Sequence, residues 1–566
     1  MGWPCRRAHC GHPGEVVLQL NSPLLYWHTL RYLRPGQLYR RLWFQIARPR
    51  PNLVPPPDRR SPSDHWIPPA QRESSLVDAG SFVFLSVHGD LDEIGWDGPE
   101  REKLWRYNQH YFDDLNARTS ESRTHWHREL LVDWVLNNPP GSGNGWEPYP
   151  TSLRIVNWVK WALAGNVLPQ PCLHSLAVQA RWLMHRLEYH LSGNHLFANA
   201  KALVFAGLFF GGPETDGWLA RGLSILEREV PEQILADGGH FERSTMYHAL
   251  VLEDMLDLCN LIACYSASLS IEQRRLAESW SRRIPSMMTW LDTMCHPDGE
   301  IGFFNDAALG IAATPSELRA YAERLGVHSL SALGNTSLWL QSSGYARLAT
   351  TDAVALLDLA PVGSDYLPGH AHADTLSFEL SVHGQRVLVN SGTSSYGTSA
   401  ERLRQRGTTA HNTVVVANKN SSEVWNSFRV ARRARIVHAD VQTATGVKTA
   451  SGAHNGYTRL PGSPVHLRQW SMREDSLVVE DSVSDKSVQA VARFHFHPDI
   501  SLSPAEDHCA GSVLLPDGRK LTWSATGAEA WIESTTWHPR FGQSLANVCL
   551  CVRLKDGSSL VRWQWS

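Results

Sequence analysis

The chain has 566 residues, room for three or four domain-sized units, and 42% of them are hydrophobic, which excludes a mainly disordered chain. With 53 Lys and Arg against 56 Asp and Glu, its net charge of −3 lacks the global basic excess of a nucleic-acid binder. Its longest unbroken apolar stretches, such as 202–210, fall well short of the roughly 18 residues that mark a membrane span.

At the start of the chain no apolar run follows Arg6 and Arg7, and Glu15, Gln19 and Asn21 interrupt the next candidate, so no ordinary secretory leader is expected. The nine cysteines are scattered, with no Cys-x-x-Cys, which argues against a disulfide framework and makes a reducing compartment the simplest reading. Residues 1–75 are rich in Arg, Pro and aromatics. One or two helices are predicted within 26–46, then an extended arm through the proline-rich 48–57, either packed on the body or acting as a basic interaction tail. From 76 to 335 the chain reads as mainly helical. Apolar residues recur at three- and four-residue spacing in 127–137, 153–163, 172–190, 198–209, 246–265 and 271–294, with Gly or Pro breaks between most of them. Short connections make these antiparallel neighbours, as in a toroid of helical hairpins. From 336 to 566 the period changes to two: Leu376, Phe378, Leu380 and Val382 alternate with polar residues before a His383-Gly384 turn. Further short strands, with Asp517-Gly518 and Asp556-Gly557 turns, predict a large antiparallel sandwich. The fold class is therefore α+β and multidomain, helices first and strands second, with the junction as the natural cleft.

Four polar clusters stand out: 145–158, 193–201, 237–247, and 368–374 followed by 406–413. Singly each is weak, since Asn194 could cap a helix and Tyr247 could be a core tyrosine with a bonded tip. His370 and His372, two apart, would share one face of a strand; with His411 they would make a plausible Zn²⁺ site, or else be a surface pair. Most of the 23 tryptophans are expected in the core, with a sugar-stacking role as the alternative.

In this order, GWEPYPTSLRIVNW (145–158), GNHLFANAKALVFAG (193–207), DGGHFERSTMYH (237–248), PGHAHADTLSFEL (368–380) and RGTTAHNTVV (406–415) resemble the signatures of the heparinase II/III polysaccharide lyases. LWRYNQHYFDDL (104–115) is similar to that family's N-terminal region. The resemblance implies an (α/α) toroid followed by a β-sandwich, and β-elimination on a uronic-acid-containing anionic glycan, with a tie to bacterial exopolysaccharide or capsule metabolism. It makes Asn194, helped by His195, the group that neutralises the uronate carboxylate, Tyr247 a base, acid or both, and His370 a second acid/base. Arg243, four residues before Tyr247, would sit on the same helix face and supply positive charge to the phenol. Tyr149, Arg154, Asn157 and Trp158 are candidate sugar contacts, with Glu242 and Arg406 as weaker ones. His372 and His411 match metal ligands of zinc-containing relatives, but Asn390 stands where their third ligand is an Asp, and an amide oxygen binds Zn²⁺ more weakly. Any zinc would be structural, and no organic cofactor is expected. The expected partner is the polysaccharide, with no nucleic acid and no transmembrane segment. The substrate points to the periplasm or envelope, while the missing leader leaves the cytoplasm open. Two competing readings are a glycoside hydrolase using Asp237 with Glu147 or Glu242, and a non-catalytic glycan-binding or assembly protein.

Overall fold

The computed structural model describes residues 23–327, 333–443, 446–527 and 529–566. The reading of a missing leader, with Cys5 and Cys10, falls largely outside them; the seven described cysteines are all free. Two helices, Pro23–Leu30 and Pro35–Ile46, come first, each begun by a proline whose fixed φ and absent N–H suit a first turn. The proline-rich segment after them packs on the body: the Arg181 guanidinium donates to the Val54 and Pro55 carbonyls, and Asn260 donates to Ile67.

Residues 76–90 depart from the helical expectation and form a three-stranded antiparallel sheet. Phe84 pairs with Val87 across a two-residue turn in which Leu85 and Ser86 both have positive φ, a hairpin that helical periodicity cannot reveal. Helices then run from Lys103–Tyr111 to Pro315–Arg324. The predicted helix over 271–294 is two, Ile271–Ser281 and Ile284–Thr293, and Pro285 stands in the first turn of the second, where its missing N–H costs no helix bond. Pro213–Gln233, passed over in the sequence, is the longest described helix and packs along Gly193–Phe209 through Gly207 and Gly222, where a Cβ would meet neighbouring backbone at 2.7 Å. A buried charge cluster ties the helices together: Lys160 and Lys201 both donate to Asp257, at 2.8 and 2.6 Å, and Tyr321 donates to its other oxygen.

From Leu338 the chain is β. A five-stranded sheet covers 338–388, a four-stranded sheet holds Val414–Val416 and Ala490–His495, and an eight-stranded sheet holds His466–Arg473 and Ser476–Val483; all pairings are antiparallel. The Leu388–Phe496 bridge continues the five-stranded sheet into the four-stranded one. Between the layers lie Phe378, Trp470, Phe494, Trp523 and Trp563, all buried. Eight tryptophans are among the largest fully buried side chains, so these serve packing rather than sugar.

Beneath the site Arg468 grips Asp481 with two nitrogens, at 2.7 and 2.8 Å, while His466 bonds the same carboxylate at 2.8 Å and Arg468 also donates to the Leu376 and Asn412 carbonyls. Burial alone would raise the Asp481 pKa, but Arg468 and His466 hold it down at about 2. A depressed folded pKa gives stability that is present above the ordinary carboxylate range and lost as pH falls through about 2. Urea titrations are therefore expected to show a loss on the order of 2 kcal/mol between about pH 4 and pH 2 from this group. Asp481→Asn should be less stable at neutral pH and flatter across that window; an unchanged slope would remove Asp481 as the cause.

Candidate active site

Two helix starts face the β domain. Gly193–Phe209 begins at a glycine with φ of 53°, and a Cβ there would lie 2.2 Å from Leu367, so only glycine lets the 363–370 loop approach. This start puts Asn194 and His195, both half-buried, in the first turn, where helix N–H groups favour an anion. Thr245–Cys264 begins at Ser244, whose Oγ accepts from the Tyr247 N–H at 3.1 Å and donates to the Asp306 carbonyl at 2.5 Å. One side chain thus caps the helix, places Tyr247 in its first turn and fixes Asp306 beside it.

Asp306 is the hub. It is fully buried and takes both Arg402 terminal nitrogens, one at 2.7 Å. His370 Nδ1 lies 2.9 Å from its Oδ2, His372 Nε2 lies 2.8 Å from its Oδ1, and Thr393 donates to it at 3.2 Å. Burial opposes the charge, but Arg402 and the two histidines hold this carboxyl well below the usual range. With Nδ1 turned to Asp306, His370 directs Nε2 to the side of Glu242, 3.8 Å away. Its ring stacks on Tyr247 with centroids 3.9 Å apart, and the Tyr247 hydroxyl is 3.1 Å from that of Tyr396. Burial and the neighbouring phenol keep the Tyr247 hydroxyl well above its ordinary pKa, so it is a proton donor in the ligand-free protein.

Glu242 is buried beside the Asn194 backbone N–H, with no side-chain hydrogen bond among the described residues, and sits 3.8 Å from His370 Nε2. Burial pushes its pKa up, against the pull of His370 and His195. Burial lowers His195, but Glu188, 3.2 Å from its Nδ1, wins and leaves its pKa raised. Tyr149 lies against the His195 ring, centroids 4.5 Å apart.

His372, Asp374 and His411 form a buried group whose ligand atoms lie within 4.8 Å of one another. His372 Nδ1 and His411 Nε2 are 3.2 Å apart, a separation that two nitrogens each about 2.0–2.1 Å from one tetrahedral Zn²⁺ would adopt. His372 turns its other nitrogen to Asp306, the usual outer partner of a metal-bound imidazole, so these residues fit the ion. The carboxylate of the group is Asp374, two residues after His372. Asn390 is occupied otherwise: its amide donates to the Phe303 carbonyl and its oxygen accepts from the Asn412 N–H.

Several expected sugar contacts are structural instead. Arg154 is fully buried, bonded to Gln179 and the His110 carbonyl and stacked 3.8 Å over Trp134. Asn157 donates to the Tyr111 carbonyl and to Asp113, and Trp158 is fully buried edge-on to Phe112 and Trp134. Arg243 precedes the helix with φ of 60° and does not share a helix face with Tyr247; its guanidinium donates to the Ser343 and Gly363 carbonyls and stitches the two domains. Arg406 is likewise buried and holds the Ala371 carbonyl, fixing the loop between His370 and His372. That loop precedes the strand Phe378–Val382 rather than lying in it, and the two imidazoles meet through Asp306 instead of through strand alternation. Trp158→Ala is expected to cost about 3–5 kcal/mol in a thermal or urea melt and to leave KM for any glycan unchanged in the folded protein. A raised KM at unchanged stability would return Trp158 to the sugar-binding surface.

Sequence reasoning missed Asp306, Arg402, Tyr396 and Asp374. Arg402 lies four residues before Arg406, and Asp306 lies two residues after the apolar run Ile301–Phe304, but neither has a local signature of its partners.

The Heparinase II/III N-terminus family model matches residues 118–326, and the Heparinase II/III-like C-terminal model matches 333–564. A heparin-sulfate lyase of Bacteroides stercoris is 22% identical over 386 residues, 58% of this chain and 56% of that protein, so the chain spans little more than half its length. FtsZ-localized protein C of Caulobacter vibrioides is 24% identical over 88% of each chain. Among solved structures, heparinase III superposes with a TM-score of 0.69 at 16% identity, over 96% of this chain and 93% of that one, which establishes the shared fold of helical domain and antiparallel sheets. With two consecutive family models covering most of its length and this fold behind them, the chain belongs to the heparinase II/III family.

Proposed function

We propose that this protein is a polysaccharide lyase that cleaves an anionic, uronic-acid-containing glycan by β-elimination. The observation that carries the reading is the Tyr247–His370 stack, an undissociated phenol against an imidazole that Asp306 holds by Nδ1, leaving Nε2 without a hydrogen bond among the described residues. Asn194 and His195, whose pKa Glu188 raises, meet the uronate carboxylate at the helix start and lower the cost of charge that develops when C5 loses its proton. His370 Nε2 takes that proton, and the C–H electron pair becomes the C4–C5 double bond. The C4–O bond breaks, and the leaving oxygen takes the Tyr247 proton. Glu242, 3.8 Å from Nε2, balances the imidazolium charge, and return of the proton from His370 to Tyr247 resets the pair. The hydrolase reading is weakened because Asp237 accepts from the Ser343 N–H and hydroxyl, and Glu147 lies with Lys103 and Tyr107.

The test is absorbance at about 232 nm, the band expected for the conjugated unsaturated uronate that elimination leaves, on a panel of uronate polymers including bacterial exopolysaccharides. A rise supports elimination and identifies the polymer. Chain shortening without a rise would replace it with hydrolysis. A second reading, a partner-binding role on the same scaffold, is favoured by the likeness to FtsZ-localized protein C along 88% of both chains, against about half of the lyase. It is the outcome if no polymer is altered.

His372, Asp374 and His411 would hold Zn²⁺ with a structural role, clamping the loop that carries His370 to the segment after Arg406. Elemental analysis of purified protein is expected to give about one zinc per chain. His411→Ala should lose it and melt at lower temperature; a zinc-free protein with an unchanged melt on adding Zn²⁺ would exclude the site.

A further inference from the structure

The helix Pro35–Ile46 is amphipathic in an inverted sense. At about 100° per residue, Leu38, Leu42, Ile46, Tyr39 and Trp43 fall within one arc of about 140°. Each is at least half exposed. The side facing the protein is the opposite one, where Gln37 is buried and bonds the Tyr366 carbonyl, and Phe44 packs on His190 and under the Arg186 guanidinium. The apolar arc therefore points straight away from the body. A surface helix normally turns this arc inward. Trp27 and Leu30 of the preceding helix, and Leu53 and Val54 beyond, add further exposed apolar surface along the same segment.

Charge decides what covers it. Residues 23–57 contain Arg31, Arg34, Arg40, Arg41, Arg48 and Arg50 and no Asp or Glu, although the whole chain is nearly neutral. A second copy seated face to face would bring two such arginine sets together, which like-charge repulsion opposes. An anionic bilayer matches both properties: its interface accepts Trp, Tyr and Leu, and its headgroups attract arginines flanking the apolar arc. No helix among the described residues is long and apolar enough to cross a membrane, so the contact is interfacial. We propose that this face docks the protein on an anionic lipid surface. The Arg34 guanidinium, stacked 3.7 Å over Tyr366 and paired with Glu232, joins the helix to the loop that leads to His370, so docking would hold the cleft close to the membrane plane.

The experiment is cosedimentation of the full chain with vesicles of phosphatidylcholine alone and of equimolar phosphatidylcholine and phosphatidylglycerol, at low and high salt. Binding to the anionic vesicles is expected to exceed that to neutral ones at least about tenfold and to weaken with salt. Leu42→Glu with Trp43→Glu should lower it at least about tenfold with an unchanged melting transition, because both positions are solvent-exposed. Binding unaltered in that variant would overturn the assigned face, and equal binding to both vesicles would overturn the anionic partner. No binding to either overturns the proposal outright. A concentration-dependent dimer that the variant abolishes would then assign the face to a second copy.

Discussion

Tyr247→Phe is expected to remove the ultraviolet signal of elimination almost completely, lowering kcat by about 10²–10⁴-fold, the range for loss of one positioned proton-transfer group. The phenol hydroxyl is the only part removed. The ring stays stacked on His370 and the helix start stays capped by Ser244, so KM should change little. The lost bond to Tyr396 should cost about 1 kcal/mol of stability. This split, kcat down with KM and melting nearly constant, separates proton donation from a structural role. A variant retaining a tenth or more of the wild-type kcat would exclude Tyr247 as the acid.

Asp306 should show the other large effect, on two readouts at once. Asp306→Ala leaves the fully buried Arg402 without its counter-charge and is expected to destabilise by about 3–5 kcal/mol, read by thermal melting or as loss of soluble protein. Asp306→Asn preserves shape and gives the sharper test. An amide cannot select the Nδ1-protonated form of His370 as a carboxylate does, and the loss of kcat should reach up to about 10⁴-fold, as for other Asp–His pairs. Full activity in Asp306→Asn would mean that His370 needs no orienting partner.

The helices were legible where their apolar residues recur every three or four positions, and the hairpin around His383-Gly384 where the period is two. Periodicity failed at 76–90, where strands of three and four residues are too short for a pattern, and at 271–294, where one proline divides a continuous stripe. Asn194, Tyr247 and His370 each stand in a polar cluster, but their roles come from the resemblance of the ordered motifs to the family, since singly Asn194 and Tyr247 read as a helix cap and a core tyrosine. Their supports could not be picked out, because Asp306 acquires its role from residues 64, 66 and 96 positions away. Arg154 shows the limit on burial: its planar fork reads the same whether it will face a sulfate or Trp134, and only packing decides. Arg243 shows the limit on boundaries. A spacing of four implies a shared face only inside a helix, and the Ser244 cap starts the helix at Thr245, two residues after Arg243.

The order in which Asp306 and its partners are made has a consequence for synthesis. At about 5–20 residues per second, Asp306 leaves the ribosome some 5–20 s before Arg402, 96 positions later. A carboxylate is costly to bury unpaired unless it takes up a proton, so the end of the helical domain that carries Tyr247 is expected to stay hydrated through that interval. The nascent helical domain thus has a wet, unfinished face that the first β strands must close, and it is there that a chaperone would find the newborn chain.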